Sequence, residues 1–324
     1  MANIAKIGSL ISTVVKSGNT RKFIYSTGGS RGTFFDAFKE FNSRPFMAQK
    51  LAKRINSVSQ TVKSDADSIL KPLCDDIGEF GSRIKKVDKI TGKIPRAIDD
   101  LTFDDAVEWI ANGKITNIIG DGYGARIILN SPKDVPKLVK RLIESHKQGK
   151  IKLSLVENYR GNGINPYING TNMRMLNELE SGKNIVLNKI KNAGYTRTNT
   201  DIFINGTKIE FQIGGKYTTR FGEIEHYLYD MRSNGTPDLS KLNKSQKSLF
   251  YKMKEKYLLI NRNEKTDASY KEYLTQIWKT LKTAEEKGLP FPAMPELPAG
   301  IPKILSAENL FKLEKNCNNL LLHG

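Results

Sequence analysis

Asn205-Gly206, set between two runs of alternating apolar and polar residues, constrains this chain more than any other feature. Asn-Gly is the strongest short-range hairpin signal, and a two-residue turn there dictates how the flanking strands pair. In that register Asp201 faces Glu210, while Ile209, Phe211 and Ile213 point to the opposite side of the sheet. Like charges facing each other on paired strands are unfavourable. A divalent cation or a neighbouring basic side chain would turn that liability into a site. The alternative is that Lys208, Glu210 and Gln212 simply form the wet side of an antiparallel hairpin.

The chain has 324 residues, enough for one sizeable core with appendages or two modest domains. Its net charge of +18 predicts affinity for polyanions such as nucleotides, RNA, DNA or an acidic surface. The excess is steepest from Met1 to Lys63, where 11 basic residues stand against Asp36 and Glu40, so a basic arm is expected. Two distant cysteines, Cys74 and Cys317, make neither a disulfide framework nor a zinc ribbon. Three histidines, His146, His226 and His323, exclude a histidine-rich metal site, so metal chemistry must rely on carboxylates, which suits Mg2+. Ile7 to Val15 is too short for a membrane span, and no cleavage site follows it. A cytoplasmic protein with no membrane partner is therefore expected; delivery into another cell without a cleaved signal would leave no mark on the sequence.

Residues 1–80 read as a basic region of helices and loops. Ser26 to Gly32 imitates a phosphate cradle without the Gly-Lys-Ser/Thr ending of a P-loop and reads as a flexible loop. Thr102 with Asp105 resembles a capping box opening a helix through Trp109 that Gly113 closes. Ile115 to Ile119 reads as a buried strand delivering Asp121 at its end. Strand Ile127–Leu129, a Ser131-Pro132 cap, an apolar helix from Val135 to His146 and strand Ile151–Val156 indicate a mixed sheet with helices packed on it. Beyond the hairpin, Tyr217, Phe221, Ile224 and Leu228 form one helical stripe. Leu239–Leu259 and Tyr270–Ala284 form two more helices, the second stopped by Gly288 and Pro290. Five prolines from Pro290 to Pro302 read as a stiff linker, with a partner-binding segment as the alternative, before a last helix from about Ala307 to Leu321.

Arg83, Lys85, Lys89 and Lys93 fall within eleven residues, ahead of Asp121-Gly-Tyr-Gly-Ala-Arg126. Alone, such a run is a solvated face. Joined to Asp121, Glu210 and the aromatic at Gly194-Tyr195, it acquires the parts of a nucleotide site: carboxylates for magnesium, cations for phosphates and a ring to stack a base.

These residues resemble, in order, the motifs of the synthetase domain of RelA/SpoT-type alarmone synthetases, a family of nucleotide pyrophosphokinases. Arg83-Ile-Lys85 through Lys93 is similar to the family's Arg-x-Lys and following Lys. Asp121, Gly124 and Arg126 meet Asp-x-x-Gly-x-Arg; Gly194-Tyr195 meets Gly-Tyr; Glu210-Phe-Gln212-Ile213 meets Glu-x-Gln-Ile; Glu225-His226 meets a Glu-His helix. The match spans residues 83–230. It implies an α+β fold, a mixed-sheet nucleotidyltransferase-like core over 81–235, flanked by a helical N-terminal region (1–80) and a helical C-terminal region (236–324) with the strap at 289–302. It further implies that Asp121 and Glu210 bind magnesium, that Arg83 and Arg126 sandwich the adenine of ATP, and that Lys85 and Lys93 meet its phosphates. Glu210 would take the proton of the attacking hydroxyl, with Tyr195, Arg197, Asn199 and Gln212 on the acceptor side.

The chain departs from the family at Asn199, where the histidine that grips acceptor phosphate is expected, at Lys89, and at Gly214-Gly215, where Arg-Thr is common. These changes leave the donor side credible and fall chiefly on the acceptor side. The resemblance thus implies an ATP donor and leaves the acceptor open between a purine nucleotide and RNA such as the 3′ end of tRNA, with a non-catalytic nucleic-acid-binding module as a third reading. No histidine precedes His146, so the family's hydrolase site is missing. An unpaired synthetase fits a small alarmone synthetase, or a toxin or effector restrained by an antitoxin or immunity protein.

Overall fold

The computed structural model describes residues 39–40, 42–102, 118–160, 167–179, 185–189, 195–232, 237 and 239–314. The basic arm up to residue 38, the Ser26–Gly32 stretch, the helix read across Trp109, Gly194 and the chain beyond Glu314 lie outside the described residues.

Pro45 opens a long helix, α1 (Pro45–Cys74), with a buried stripe of Leu51, Ile55, Val62, Ala66 and Leu70. Strand β1 (Gly78–Ile84) and two short helices, α2 (Val87–Thr91) and α3 (Ile94–Asp99), follow. After β2 (Tyr123–Leu129), a 3-10 turn at Pro132–Asp134 leads into α4 (Val135–Lys147). Next come β3 (Lys152–Arg160), α5 (Gly170–Asn177), β4 (Val186–Lys189), β5 (Thr196–Ile204) and β6 (Thr207–Gly215). The described residues continue through α6 (Lys216–Arg232), α7 (Lys244–Ile260), α8 (Glu264–Lys287) and a short α9 (Ala307–Phe311). The six strands form one sheet in the order β1-β2-β6-β5-β3-β4. Pairs β2·β6 and β3·β4 are parallel and the others antiparallel, so the expected α+β fold with a mixed sheet and flanking helices is what the chain adopts.

Asn205 and Gly206 both take positive φ, 50° and 75°, as a two-residue hairpin turn requires. The register follows: Asp201 pairs with Glu210 and Ile204 with Thr207. Burial of Ile209, Phe211 and Ile213 contributes roughly 1.5–3 kcal/mol per side chain. The facing carboxylates cost at most about 1 kcal/mol. The apolar face therefore decides the pairing, and Lys208, 2.7 Å from Asp201, offsets part of the repulsion.

Strand β2 lies parallel to β6 and antiparallel to β1, so one row across the polar face reads Arg83, Gly124, Glu210, Asp201. The next reads Gly81, Arg126, Gln212, Asn199, Glu157. The opposite face, with Ile127, Leu129, Ile202 and Phe211, packs against the second half of α1 and against α4. The first half of α1 packs instead on Ile90, Ile94 and Ile98 of α2 and α3. His146 lies on the face of α4, its Nδ1 accepting from the Leu153 N–H at 3.1 Å.

Some expectations give way. Ile118 and Ile119 are not strand: Asp121 stands in a turn that enters β2 at its beginning, because Gly120 and Gly122 bring the chain tight against neighbouring side chains. Residues 115–117 lie outside the described set. Residues 78–84 form a strand although their Gly- and Ser-rich alternation is weak. Helix α7 begins at Lys244, where Asn243 and Gln246 make a capping box, and leaves Leu239 in the preceding turn. The proline strap packs down: Phe291, Met294, Leu297 and Ile301 join Phe221, Ile224 and Leu228 of α6 in a second core built with α7 to α9. Gly288, with φ 65°, ends α8 as expected. Among the described residues no helix is long and apolar enough to cross a membrane.

Candidate active site

Helix α1 builds one end of the site. A Cβ on Gly122 would fall 2.6 Å from Ser59 Oγ and 2.8 Å from Ile55 Cγ2, so only glycine lets the Asp121 turn lie against this helix. Lys85, just past β1, donates its N–H to the Gly122 carbonyl (2.8 Å), and its own carbonyl accepts from Asn56 Nδ2 (2.8 Å). Lys93 opens α3 on the same helical cluster. Both ammonium groups bond Asp121 Oδ2.

Two cations thus share one anion. Burial works to raise the Asp121 carboxyl, but the two lysines outweigh it and hold the group below the usual carboxylate range. Burial pulls Lys85 down to about 8, aided by Lys93 beside it and only partly resisted by Asp121. Burial also works against Lys93, yet Asp121 holds it above the usual lysine value. The triad carries one spare positive charge next to the floor of the sheet.

Glu210 stands on that floor. Burial raises its carboxyl first and the Asp121 charge raises it further, against a hydrogen bond from Gln212 and the two lysines. The acids at 121 and 210, far apart in sequence, thus lie within electrostatic reach of each other. Beside Glu210 the floor is bare of described residues, since a Cβ on Gly124 would meet none of their atoms within 4 Å. A cleft of about 230 Å3 opens there, lined by Arg83, Gly124, Arg126, Arg197, Glu210 and Gln212 together with Glu223, His226 and Lys241.

Helix α6 supplies the other wall. Glu223 accepts from Arg126 at 2.6 Å and lies 3.9 Å from Lys241. Burial lowers His226, and Arg197 and Arg83 lower it further against the pull of Glu223, which favours the neutral imidazole where this side chain lines the cleft. Beyond the Arg126–Glu223 pair lies a larger hollow of about 650 Å3, reaching Lys216, Tyr227 and Leu313.

The acceptor-side residues are placed differently. Arg197 is 4% exposed and donates to Gln212 Oε1 at 2.8 Å. Tyr195 meets Tyr159 and Trp278 edge-on, with ring centres at 5.5 and 5.4 Å. Asn199 pairs with Gln212 across the strands, its amide oxygen buried with no hydrogen-bond partner among the described residues. Arg83, Arg126, Arg197, Glu210 and Gln212 therefore share the cleft. Lys85, Lys93 and Asp121 adjoin it as a triad, and Tyr195 and Asn199 stand outside its lining.

Sequence reasoning passed over Glu223, Lys241, Glu157 and Glu285. Glu157, bonded by Lys189 and by the Tyr159 hydroxyl at 2.9 Å, extends the polar row across β3. Its alternation with apolar Val156 was the available signal. For Glu223 and Lys241 no motif existed, because only the tertiary packing of α6 and of the turn before α7 brings them to the cleft.

Among the described residues no three His, Cys, Asp or Glu side chains gather as a metal cluster. The pair Asp121 and Glu210 nonetheless suits Mg2+, which takes one or two carboxylates and completes its shell with water and phosphate oxygens. The destabilised Glu210 charge is the kind a cation relieves.

No protein-family model matches the chain, and no curated protein matches it. Among solved structures it is similar to a GTP pyrophosphokinase family protein from Streptococcus pneumoniae, at 15% identity and a TM-score of 0.30, over 71% of this chain and 95% of that one. It is also similar to small alarmone synthetase 1 from Bacillus subtilis, solved with its product pppGpp, at 14% identity and a TM-score of 0.29, over 70% of this chain and 98% of that one. Likenesses of this size carry no weight for activity, which must be read from the cleft itself.

Proposed function

We propose that the chain is an ATP-dependent pyrophosphokinase that transfers the terminal pyrophosphate of ATP to the 3′-hydroxyl of a purine nucleotide. The observation that carries this reading is the apposition of the Lys85–Asp121–Lys93 triad to a half-buried Glu210 beside the bare floor at Gly124, in a cleft with three arginines. Transfer of this kind needs alignment and charge neutralisation more than covalent chemistry.

Lys85 and Lys93 would neutralise the polyphosphate. Arg83 and Arg126, on either side of Gly124, would flank the adenine once Arg126 leaves Glu223. Glu210, its carboxyl raised above the ordinary value by burial and by the Asp121 charge, is suited to accept the hydroxyl proton as the 3′ oxygen bonds the β-phosphorus. The bond from that phosphorus to the oxygen bridging it to the α-phosphorus breaks, and AMP leaves. Asp121 and Glu210 would hold Mg2+, which supplies charge neutralisation to the triphosphate when bound.

The test is incubation with β-labelled and γ-labelled ATP and a panel of AMP, ADP, ATP, GDP, GTP and tRNA. Both labels should move to acceptor, leaving unlabelled AMP. Movement of the γ label alone would make the protein a simple kinase. The net charge of +18 favours RNA as the second acceptor class, and transfer to tRNA that weakens steeply with salt would select it. Unrestrained transfer from ATP would drain the nucleotide pool, which supports reading the protein as a cytoplasmic toxin or delivered effector held by an inhibitory protein.

A further inference from the structure

Glu285 is a buried carboxylate in α8, 7% exposed, far in sequence from every residue of the cleft. It does not face solvent or a cation. Its Oε1 accepts the N–H groups of Tyr217 and of Thr218 (2.9 Å), in the first turn of α6. Its Oε2 accepts the Thr218 hydroxyl (2.9 Å) and the Tyr167 hydroxyl. Four donors on one carboxyl group offset part of its burial, which still raises it above the ordinary carboxylate value, and they cap α6, whose own sequence supplies no acidic residue in its first turn.

The space for this contact comes from Gly214-Gly215. A Cβ on Gly215 would collide with the Glu285 carboxylate and the Tyr167 hydroxyl, and one on Gly214 would lie 2.7 Å from Thr219 Oγ1. The glycine pair at the end of β6 and the acid in α8 are thus two halves of one joint.

From the joint, contacts lead to the cleft. The carbonyl of Thr219, next to the capped residues, accepts from Arg197 Nη2 at 3.5 Å, and Gly222 one turn on admits the same guanidinium, since a Cβ there would lie 2.9 Å from Nη2. Arg197 Nη1 bonds Gln212 Oε1 at 2.8 Å, and Gln212 stands two positions from Glu210 on the same face of β6, lining the same cleft. We infer that Glu285 is a positioning residue: by anchoring the start of α6 it fixes Arg197 and Gln212, and through them the carboxylate of Glu210. This rests on the pyrophosphokinase reading above, and it makes the C-terminal helices part of the catalytic unit.

The experiment compares Glu285→Ala, Glu285→Gln and Tyr270→Phe in the full chain. Tyr270→Phe removes a buried bond to the Leu305 carbonyl in the same helical core without touching the relay, and so controls for stability. Assays run below the melting point of all three. Glu285→Ala should lower kcat by ~10-fold or more, as sub-ångström misplacement of a reacting group does, with KM for ATP within about twofold. Glu285→Gln, which keeps the acceptor for the two N–H groups, should recover most of the loss, and Tyr270→Phe should stay near wild type. A kcat for Glu285→Ala equal to that of wild type, or no lower than that of Tyr270→Phe, overturns the inference.

Hydrogen exchange of the same proteins reads the relay without activity. Loss of protection in Glu285→Ala should extend from 216–220 to 210–213, and loss confined to 216–220 overturns the inference. Should wild type transfer nothing, the reaction reading fails while exchange still decides the role of Glu285. If the alanine variant does not fold, Glu285→Asp, which retracts the charge by one methylene, is judged by the same criteria.

Discussion

The two ends of the cleft are built on opposite plans. At the triad end, Lys85, Lys93 and Asp121 are partly open to solvent, come from turns and helix starts, and are held from behind by α1. At the Arg197 end the functional groups are buried, interlocked with aromatic rings and α6, and tied through Glu285 to a helix nearly ninety positions away. The open end suits a polyphosphate that arrives with its own charge and leaves again. The closed end suits discrimination, because a buried polar group left unpaired costs about 1–3 kcal/mol.

The largest effect expected from breaking this contrast lies where the two ends meet. Glu210→Gln should lower turnover by ~10²–10⁴-fold while ATP affinity stays within about threefold. An equally active variant would remove Glu210 from the chemistry.

Next is Lys85→Met, which strips the triad of its less exposed cation. Loss of one charged hydrogen bond to phosphate, about 1.5–3 kcal/mol, should weaken ATP binding by roughly 10- to 100-fold in a calorimetric titration. Unchanged binding would place the phosphates elsewhere.

The glycines separate the ends by stability. Gly215→Val should cost about 1–3 kcal/mol of overpacking and lower the melting temperature by several degrees. Gly124→Ala, into open space, should leave melting unchanged and reduce turnover by crowding the cleft floor. Equal melting shifts for the two would show that the floor is not open.

The smallest effect is a displacement in pH. Activity should rise as Glu210 loses its proton above the usual carboxylate range, since only the anion accepts a proton. It should fall as pH passes about 8, where Lys85 loses its charge. Lys93 is one of the groups lowering Lys85, so Lys93→Met should move the alkaline limb to higher pH. A limb that stays put would uncouple the two lysines.

The hairpin was legible because Asn205-Gly206 and the alternation beyond it are local properties, and they put Glu210 on the polar face before any tertiary contact is considered. Helices α4 and α6 were legible for the same reason, through their apolar stripes. Strand β1 was not: Gly78, Gly81 and Ser82 dilute its pattern, and its identity comes from pairing with β2. Nor was the role of α1, read as part of a basic region without assignable function. The one local hint of the Glu285 joint was a glycine pair at a strand end, which signals close approach without saying by what.

By itself the sequence settled which residues alternate, where the chain turns and which acids and cations are present, since these follow from backbone sterics and side-chain chemistry over a few residues. Tertiary structure alone decided that two lysines share Asp121, that Arg197 is buried against α6, and that a carboxylate from α8 closes the end of β6. Those meetings depend on how helices pack on a sheet across long stretches of chain. No local pattern encodes such packing, because burial is cooperative and belongs to the fold as a whole.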